Sequence, residues 1–350
     1  MKFLRPVVAA ATVLMLAAYV PKGAPAAVVA ATVSVRHQSF DGGQPALSVM
    51  TWNVKGLPRP LALGRPAALA EIGRRLGELR RIGKQPHVVL LQEAFISDAK
   101  AIGAEGGYPY ATVGPQPEDA SASPTASLGD DFRQNASWAK GEDEGKWLGS
   151  GLVILSDYPI LATRKMAFPQ DACAGFDCLA AKGVLLAKIA VPGSAKPVTV
   201  IDTHLNSRHA SGVSVRRANA AYSWQAAAVR RFVAQQTGPD ENIVFGGDFN
   251  IGHDPRRRAA ASRDGGFLPQ GREAIATVAA TRPLATKQNA DFVAVEQRAK
   301  DKQYFRPARG SQLELRNVDV PFGLANGGFD LSDHLGFVAT YRINDSVSAR

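Results

Sequence analysis

An α/β architecture follows from three features of this 350-residue sequence. Short apolar runs end repeatedly in polar residues, helix-period segments lie between them, and a 45% hydrophobic composition suffices for an enzyme-sized core. Mixed strand order with helices outside predicts either two mixed sheets packed face to face and flanked by helices, or one open α/β sheet. Periodicity alone does not separate the two.

Residues 1–27 (MKFLRPVVAAATVLMLAAYVPKGAPAA) carry Lys2 and Arg5, then an apolar run from Val7 to Val20, then small residues around Ala24 to Ala26. The run is shorter than the roughly 18 residues of a spanning helix, and the pattern is that of a signal peptide. Cleavage near residue 27 or 31 is expected, with export to the periplasm or beyond the cell. A linker (28–46) then leads into a catalytic domain (47–345). Removing Lys2, Arg5 and Lys22 reduces the formal charge from +10 to +7. A basic balance of this size favours anionic partners, nucleic acid or lipid head groups, without choosing between them. The two cysteines, Cys173 and Cys178, lie in DACAGFDCLA. Export makes a local disulfide the expected state, and two thiols without clustered histidines make a poor zinc site.

The predicted strands are, in order, ALSVMTWNVKG, HVVLLQEAF, GLVILSDYPI, KGVLLAKIAV, PVTVIDTHLNS, NIVFGGDFN and LGFVATYRI. Helical spacing marks 66–82, through Leu69, Ile72, Leu76 and Leu79, and 216–236, through Ala220, Trp224, Ala227 and Phe232. Two segments, 114–146 and 252–274, are read as long surface loops. In the second, Arg256, Arg257 and Arg258 form a solvated run or a path for a polyanion.

The strand ends carry the chemistry. Asn53 closes the first run, Glu93 the second, His204 and Asn206 the fifth, Asp248 and Asn250 the sixth, while Asp333 and His334 precede the last. In an extended chain Asp248 and Asn250 face the same way. Singly, each residue has a structural explanation: turn residues after Gly-Gly, a helix cap at Glu93, a satisfied core histidine at His204. Together they place several polar groups at the ends of apolar strands, where a metal and a phosphate would supply partners.

In the order TWNVKGLP, LLQEAF, GSGLVILSDYPI, IDTHLNS, GGDFN and LSDHLGFVATY, these motifs resemble the endonuclease/exonuclease/phosphatase superfamily over about 47–342. The resemblance implies a four-layer α/β sandwich and divalent-metal phosphoester cleavage. It assigns Glu93 and Asn53 to the metal, Mg²⁺ or another divalent ion such as Mn²⁺, with Asp333 in the metal region. Asp248 orients or deprotonates the attacking water, assisted by Asn250. His204 and His334 face the scissile phosphate, Asp319 orients His334, and Asn206 lines the phosphate pocket or closes a turn.

The CAGFDCLAAKGVLLAKI block most resembles the secreted sphingomyelinase and phospholipase C branch. That favours a phospholipid head group as substrate, peripheral membrane contact and a monomer. The aromatic hairpin usual in bacterial sphingomyelinases has no counterpart in 287–317, a charged segment with scattered Phe292, Tyr304 and Phe305. A secreted DNase-like endonuclease acting on nucleic acid, or a phosphomonoesterase, is the alternative. A catalytically idle binding protein on the same fold is the third reading, against which the full set of site residues argues.

Overall fold

The computed structural model describes residues 46–119, 129–281 and 289–345. The segment read as a signal peptide, and the linker up to residue 45, lie outside the described residues. No helix among the described residues is long and apolar enough to cross a membrane.

Two six-stranded sheets form the centre. The strands are β1 (Ala46–Gly56), β2 (Val88–Ala94), β3 (Tyr110–Val113), β4 (Val153–Ser156), β5 (Ile160–Ala167), β6 (Gly183–Ile189), β7 (Val198–His204), β8 (Ile243–Asp248), β9 (Arg272–Glu273), β10 (Asp301–Arg306), β11 (Ser311–Asp319) and β12 (Phe337–Asp345). One sheet runs β11-β12-β1-β2-β4-β3, the other β5-β6-β7-β8-β10-β9. Both are mixed: β1 is parallel to β2 and β7 to β8, and the other pairings are antiparallel.

Alternation along β1 shows why two sheets and four layers result. Leu47 and Val49 point inward, joining Leu90 of β2, Val200 of β7 and Val244 of β8 in a core between the sheets. Met50, Trp52 and Val54 point outward, onto Leu69, Ile72 and Leu76 of the helix Arg65–Arg81. The second sheet likewise presents Ile201 and Phe245 to Tyr222, Val229 and Phe232 of the helix Val215–Gln236. Each sheet packs one face on the other sheet and the opposite face on helices, which makes four layers and excludes the single-sheet alternative.

Strand ends, bends and polar segments depart from expectation. The segment 287–317 holds the helix Ala290–Arg298 and strands β10 and most of β11, and it buries Phe292 and Phe305. The stretch 252–274, expected as a loop, contains the helix Pro255–Ser262, which Asp254 caps by accepting from the backbone N–H groups of Arg256 and Arg257. Arg257 is fully buried, so the arginine run is not a continuous surface path.

Candidate active site

Strand register brings the site together. Parallel pairing sets His204 beside Asp248, and antiparallel pairing sets Asp301 beside Asp248 from the other side. In the facing sheet Asn53 lies beside Gln92, so Glu93 follows at the mouth of the same end. Ser332 Oγ donates to Asn53 O at 2.6 Å and Trp52 Nε1 to His334 O at 2.9 Å, which ties the SDH loop to β1. The Gly-Gly before Asp248 is required by closeness. A Cβ at Gly246 would lie 2.6 Å from Leu90 of the opposite sheet, and one at Gly247, where φ is 146°, 2.2 Å from Thr203 O. Beyond it Asn250 has φ 48°, and Glu93 has φ 56°. Left-handed backbone at two non-glycine residues is the kind of local cost that recurs at functional sites.

Asp248 is the hub. Its Oδ2 accepts from Asn53 Nδ2 at 3.1 Å and lies 3.6 Å from His204 Nε2 and 3.7 Å from His334 Nε2. Burial opposes its ionisation, but the charge on His334, with Lys300 and the Asn53 hydrogen bond, outweighs burial and holds its carboxyl well below the ordinary range. Burial also opposes charge on His334, yet Asp301 and Asp248 raise it above its ordinary value. His334 Nδ1 meets Asp301 Oδ1 and Oδ2 at 2.9 and 2.8 Å, leaving Nε2 aimed at the site centre.

His204 differs. Burial, then the neighbouring Lys182 charge, pushes it down to about 3, so its imidazole is neutral. Lys182 Nζ stands 3.2 Å from His204 Nε2 and 2.5 Å from Asp177 Oδ1. Asp177 also accepts from the backbone N–H and hydroxyl of Ser207. The cysteines on either side of Asp177, Cys173 and Cys178, are bridged.

Glu93 Oε1 accepts from Asn53 Nδ2 at 2.9 Å, and burial raises its carboxyl. Asn53 Oδ1 accepts from Lys55 N at 3.0 Å, so the amide turns its NH₂ toward both carboxylates. Two acidic side chains thus converge on one neutral donor beside a partly open Glu93, a donor set that suits a hard, partly hydrated cation. Asn53 joins as an oxygen ligand only with its amide turned over. Asp248, Asp301 and His334 also approach one another closely enough to hold an ion. Nδ1 of His334 is committed to Asp301, however, which makes this group a hydrogen-bonded relay.

Three expected residues fall outside the cluster. Asp319 is exposed at the end of β11 and accepts a hydrogen bond from Asn317. The carboxylate on His334 is Asp301's, because β10 and not β11 is the neighbour of β8. Asp333 faces solvent beside Lys55, at 3.8 Å, and Arg298, at 3.7 Å. Asn206 is buried, but its Oδ1 accepts from Ala174 N and its Nδ2 donates to Ser207 O, so its amide is spent on backbone. Asn250 lies beside Asp248, donating its backbone N–H to Oδ1 and its side-chain amide to Leu205 O.

Three residues escaped sequence reasoning. Asp301 opens DKQYFR, whose alternating burial is masked by polar side chains facing inward. Lys182 follows the cysteine loop, where the only signal was its adjacency to Gly183. Arg257 was hidden in a basic run. Its Nη1 donates to Asn206 O and Asn250 O, both at 2.8 Å, its Nε donates to Asn219 Oδ1, and its guanidinium lies over the Tyr222 ring. It clamps together the chain segments that leave His204 and Asp248.

Solved structures share this fold. Sphingomyelinase C from Streptomyces griseocarneus is 22% identical over 85% of this chain and 99% of its own, with a TM-score of 0.53. A Staphylococcus aureus beta toxin mutant with bound magnesium ions is 20% identical over 84% and 98%, with a TM-score of 0.54. D. rerio TDP2 complexed with single-strand DNA product is 16% identical over 85% and 99%, with a TM-score of 0.53. No curated protein matches by sequence. Residues 50–316 match the Endonuclease/Exonuclease/phosphatase family, and with that span, most of its length, the chain belongs to this family of phosphoester hydrolases.

Proposed function

We propose that this chain is an exported, divalent-metal-dependent phosphodiesterase acting on a phospholipid such as sphingomyelin. The observation that carries the reading is the ionised, buried Asp248, set between two histidines and beside the Asn53–Glu93 pair. Export rests on the signal-peptide pattern of residues 1–27. A divalent ion held by Glu93, with Asn53 turned over, would neutralise phosphate charge and act as a Lewis acid.

The chain's own groups divide the remaining work. Asp248 Oδ2 receives a proton from, or orients, the attacking water, and Asn250 holds the loop behind it. His334, charged and fixed by Asp301, donates from Nε2 to the phosphate oxygens as negative charge grows on them. On the other side the neutral His204 accepts from Lys182, so the positive group there is the ammonium that Asp177 steadies. Lys182 lies in the stretch that most resembles the lipase branch, which favours the lipid reading. The inward turn of Arg257 removes the middle of the run that favoured a polyanion.

The test is hydrolysis of sphingomyelin, phosphatidylcholine, plasmid DNA and a small phosphomonoester in the presence of magnesium. Lipid cleavage is expected, abolished by EDTA and reduced about 10²-fold or more in Glu93→Gln. Cleavage of plasmid or phosphomonoester alone moves the chain to the alternative readings, and inertness toward all four makes it a binding protein.

A further inference from the structure

Large exposed apolar side chains are not spread evenly over this molecule, and strand register shows where they concentrate. β1 and β2 run in parallel toward the site, and β12 and β4 begin there, opposite Thr51 and Leu91. In the other sheet β7 ends there and β6 begins opposite Thr203. Segments 57–64, 114–119, 129–152, 168–182 and 320–336 therefore emerge at the end that holds Glu93, His204 and Asp248. These loops carry Leu61, Leu63, Trp138, Trp147, Phe176 and Phe329, exposed by 47% to 76%.

The aromatic members are joined to the site by short links. Trp147 N donates to Leu179 O at 2.8 Å, and Lys140 Nζ lies 5.4 Å from the centre of the Phe176 ring. The next residue after Phe176 is Asp177, which holds Lys182 against His204. One short turn thus shows an aromatic ring to solvent and sinks its neighbour into the site.

We propose that this end of the sandwich docks on a bilayer of zwitterionic, phosphocholine-bearing lipids, with Trp138, Trp147 and Phe176 on one rim and Leu61, Leu63 and Phe329 on the other. This rests on the lipid reading above and deepens it. Indole rings favour the interfacial layer, where an apolar body meets a wet edge. The charges beside them are of both signs: Lys140, Asp143 and Glu144 on one rim, Lys55, Asp333 and Arg298 on the other. That mixture complements a head group with a quaternary ammonium and a phosphate, the ammonium resting over an indole face. An anionic lipid or nucleic acid would be matched by a rim of one sign. β10 runs away from this end, so the turn joining it to β11 lies at the far end and takes no part.

The experiment is co-sedimentation with phosphatidylcholine–sphingomyelin vesicles at low salt and at roughly 1 M salt, where surface electrostatics are screened. Hydrolysis of a soluble aryl phosphodiester is followed in parallel. The unaltered protein should sediment at both salt levels. The pairs Trp138→Ala with Trp147→Ala, and Leu61→Ala with Leu63→Ala, should each weaken partition by about tenfold or more. Both should keep soluble hydrolysis within about twofold, since none of the four touches the reacting groups. Ile82→Ala with Leu161→Ala, exposed at the opposite end, should bind normally. Equal loss in that control pair, undiminished binding in the catalytic-end pairs, or loss of binding at high salt would overturn the proposal. So would retention on phosphatidylserine vesicles or plasmid DNA alone. Sedimentation without lipid hydrolysis would leave the docking surface standing and sink the assigned substrate; lipid hydrolysis without sedimentation would do the reverse.

Discussion

Asp301 and Arg257 show how much of this site rests on side chains that touch no substrate. Asp301 keeps His334 above its ordinary value, so the sign of its pH effect is fixed. The stabilisation from that contact is present below the unfolded histidine value of about 6.5 and is lost as pH rises through the raised folded value. Asp301→Asn removes the charge that does this and should move the alkaline limb of the turnover profile to lower pH. An unshifted limb in the folded variant would show that Asp248 alone holds the proton. Arg257→Met should leave Asn206 O, Asn250 O and Asn219 Oδ1 without their donor, at about 1–3 kcal/mol for each unmet group. Turnover should fall further than affinity, because a small shift of His204 or Asp248 spoils alignment. Arg257→Lys, which has one ammonium and no fork, should recover stability only in part.

At the scale of elements, the turn 173–182 links the disulfide to the site. Asp177 lies inside the bridged loop; burial opposes its charge, and the Lys182 ammonium, with the hydrogen bond from Ser207, outweighs burial to keep it ionised. Closing so short a loop stabilises by about 2 kcal/mol in the chain-entropy description. Cys173→Ser with Cys178→Ser should lower the melting temperature by a few degrees and reduce turnover, as Asp177 loosens its hold on Lys182. Turnover equal to that of the unaltered protein at matched folded fraction would show that the Ser207 hydrogen bonds suffice.

The whole molecule is held by an apolar interior with a few polar struts across it. Gln303 Nε2 of the second sheet donates to Val49 O of the first, and Tyr341 Oη donates to Gln303 Oε1. Gln92 Nε2 donates to Asp202 Oδ1 at 2.7 Å, and burial raises Asp202 well above the carboxylate range. A carboxyl raised in the folded state makes stability fall as pH rises past its unfolded value of about 3.9, since the unfolded chain gives up its proton first. Asp202→Asn should therefore cost little near pH 4 and gain on the unaltered protein as pH rises. Melting temperatures of the two proteins across acid to alkaline pH decide this. A constant difference would mean that Asp202 is charged in the fold.

By itself the sequence determined the buried strands, the helices between them and most of the residues that gather at the strand ends. Burial on both faces imposes unbroken apolar runs, as in HVVLL and NIVF, and the positions where such runs stop at Glu93, His204 and Asp248 are visible without a structure. Helices at 65–81 and 215–236 were legible from the helical spacing of one buried face, within a residue of their ends. Only the tertiary structure decided which carboxylate serves His334. Asp301 and Asp319 both precede the final histidine, and the choice turns on β10 pairing with β8 while β11 pairs with β12. Only packing, too, could send Arg257 inward from between two exposed arginines, or set Lys182 against His204 from the turn before β6. Periodicity records which face of an element is buried; partners far apart in the chain are fixed by register and by the demand that buried polar groups be paired.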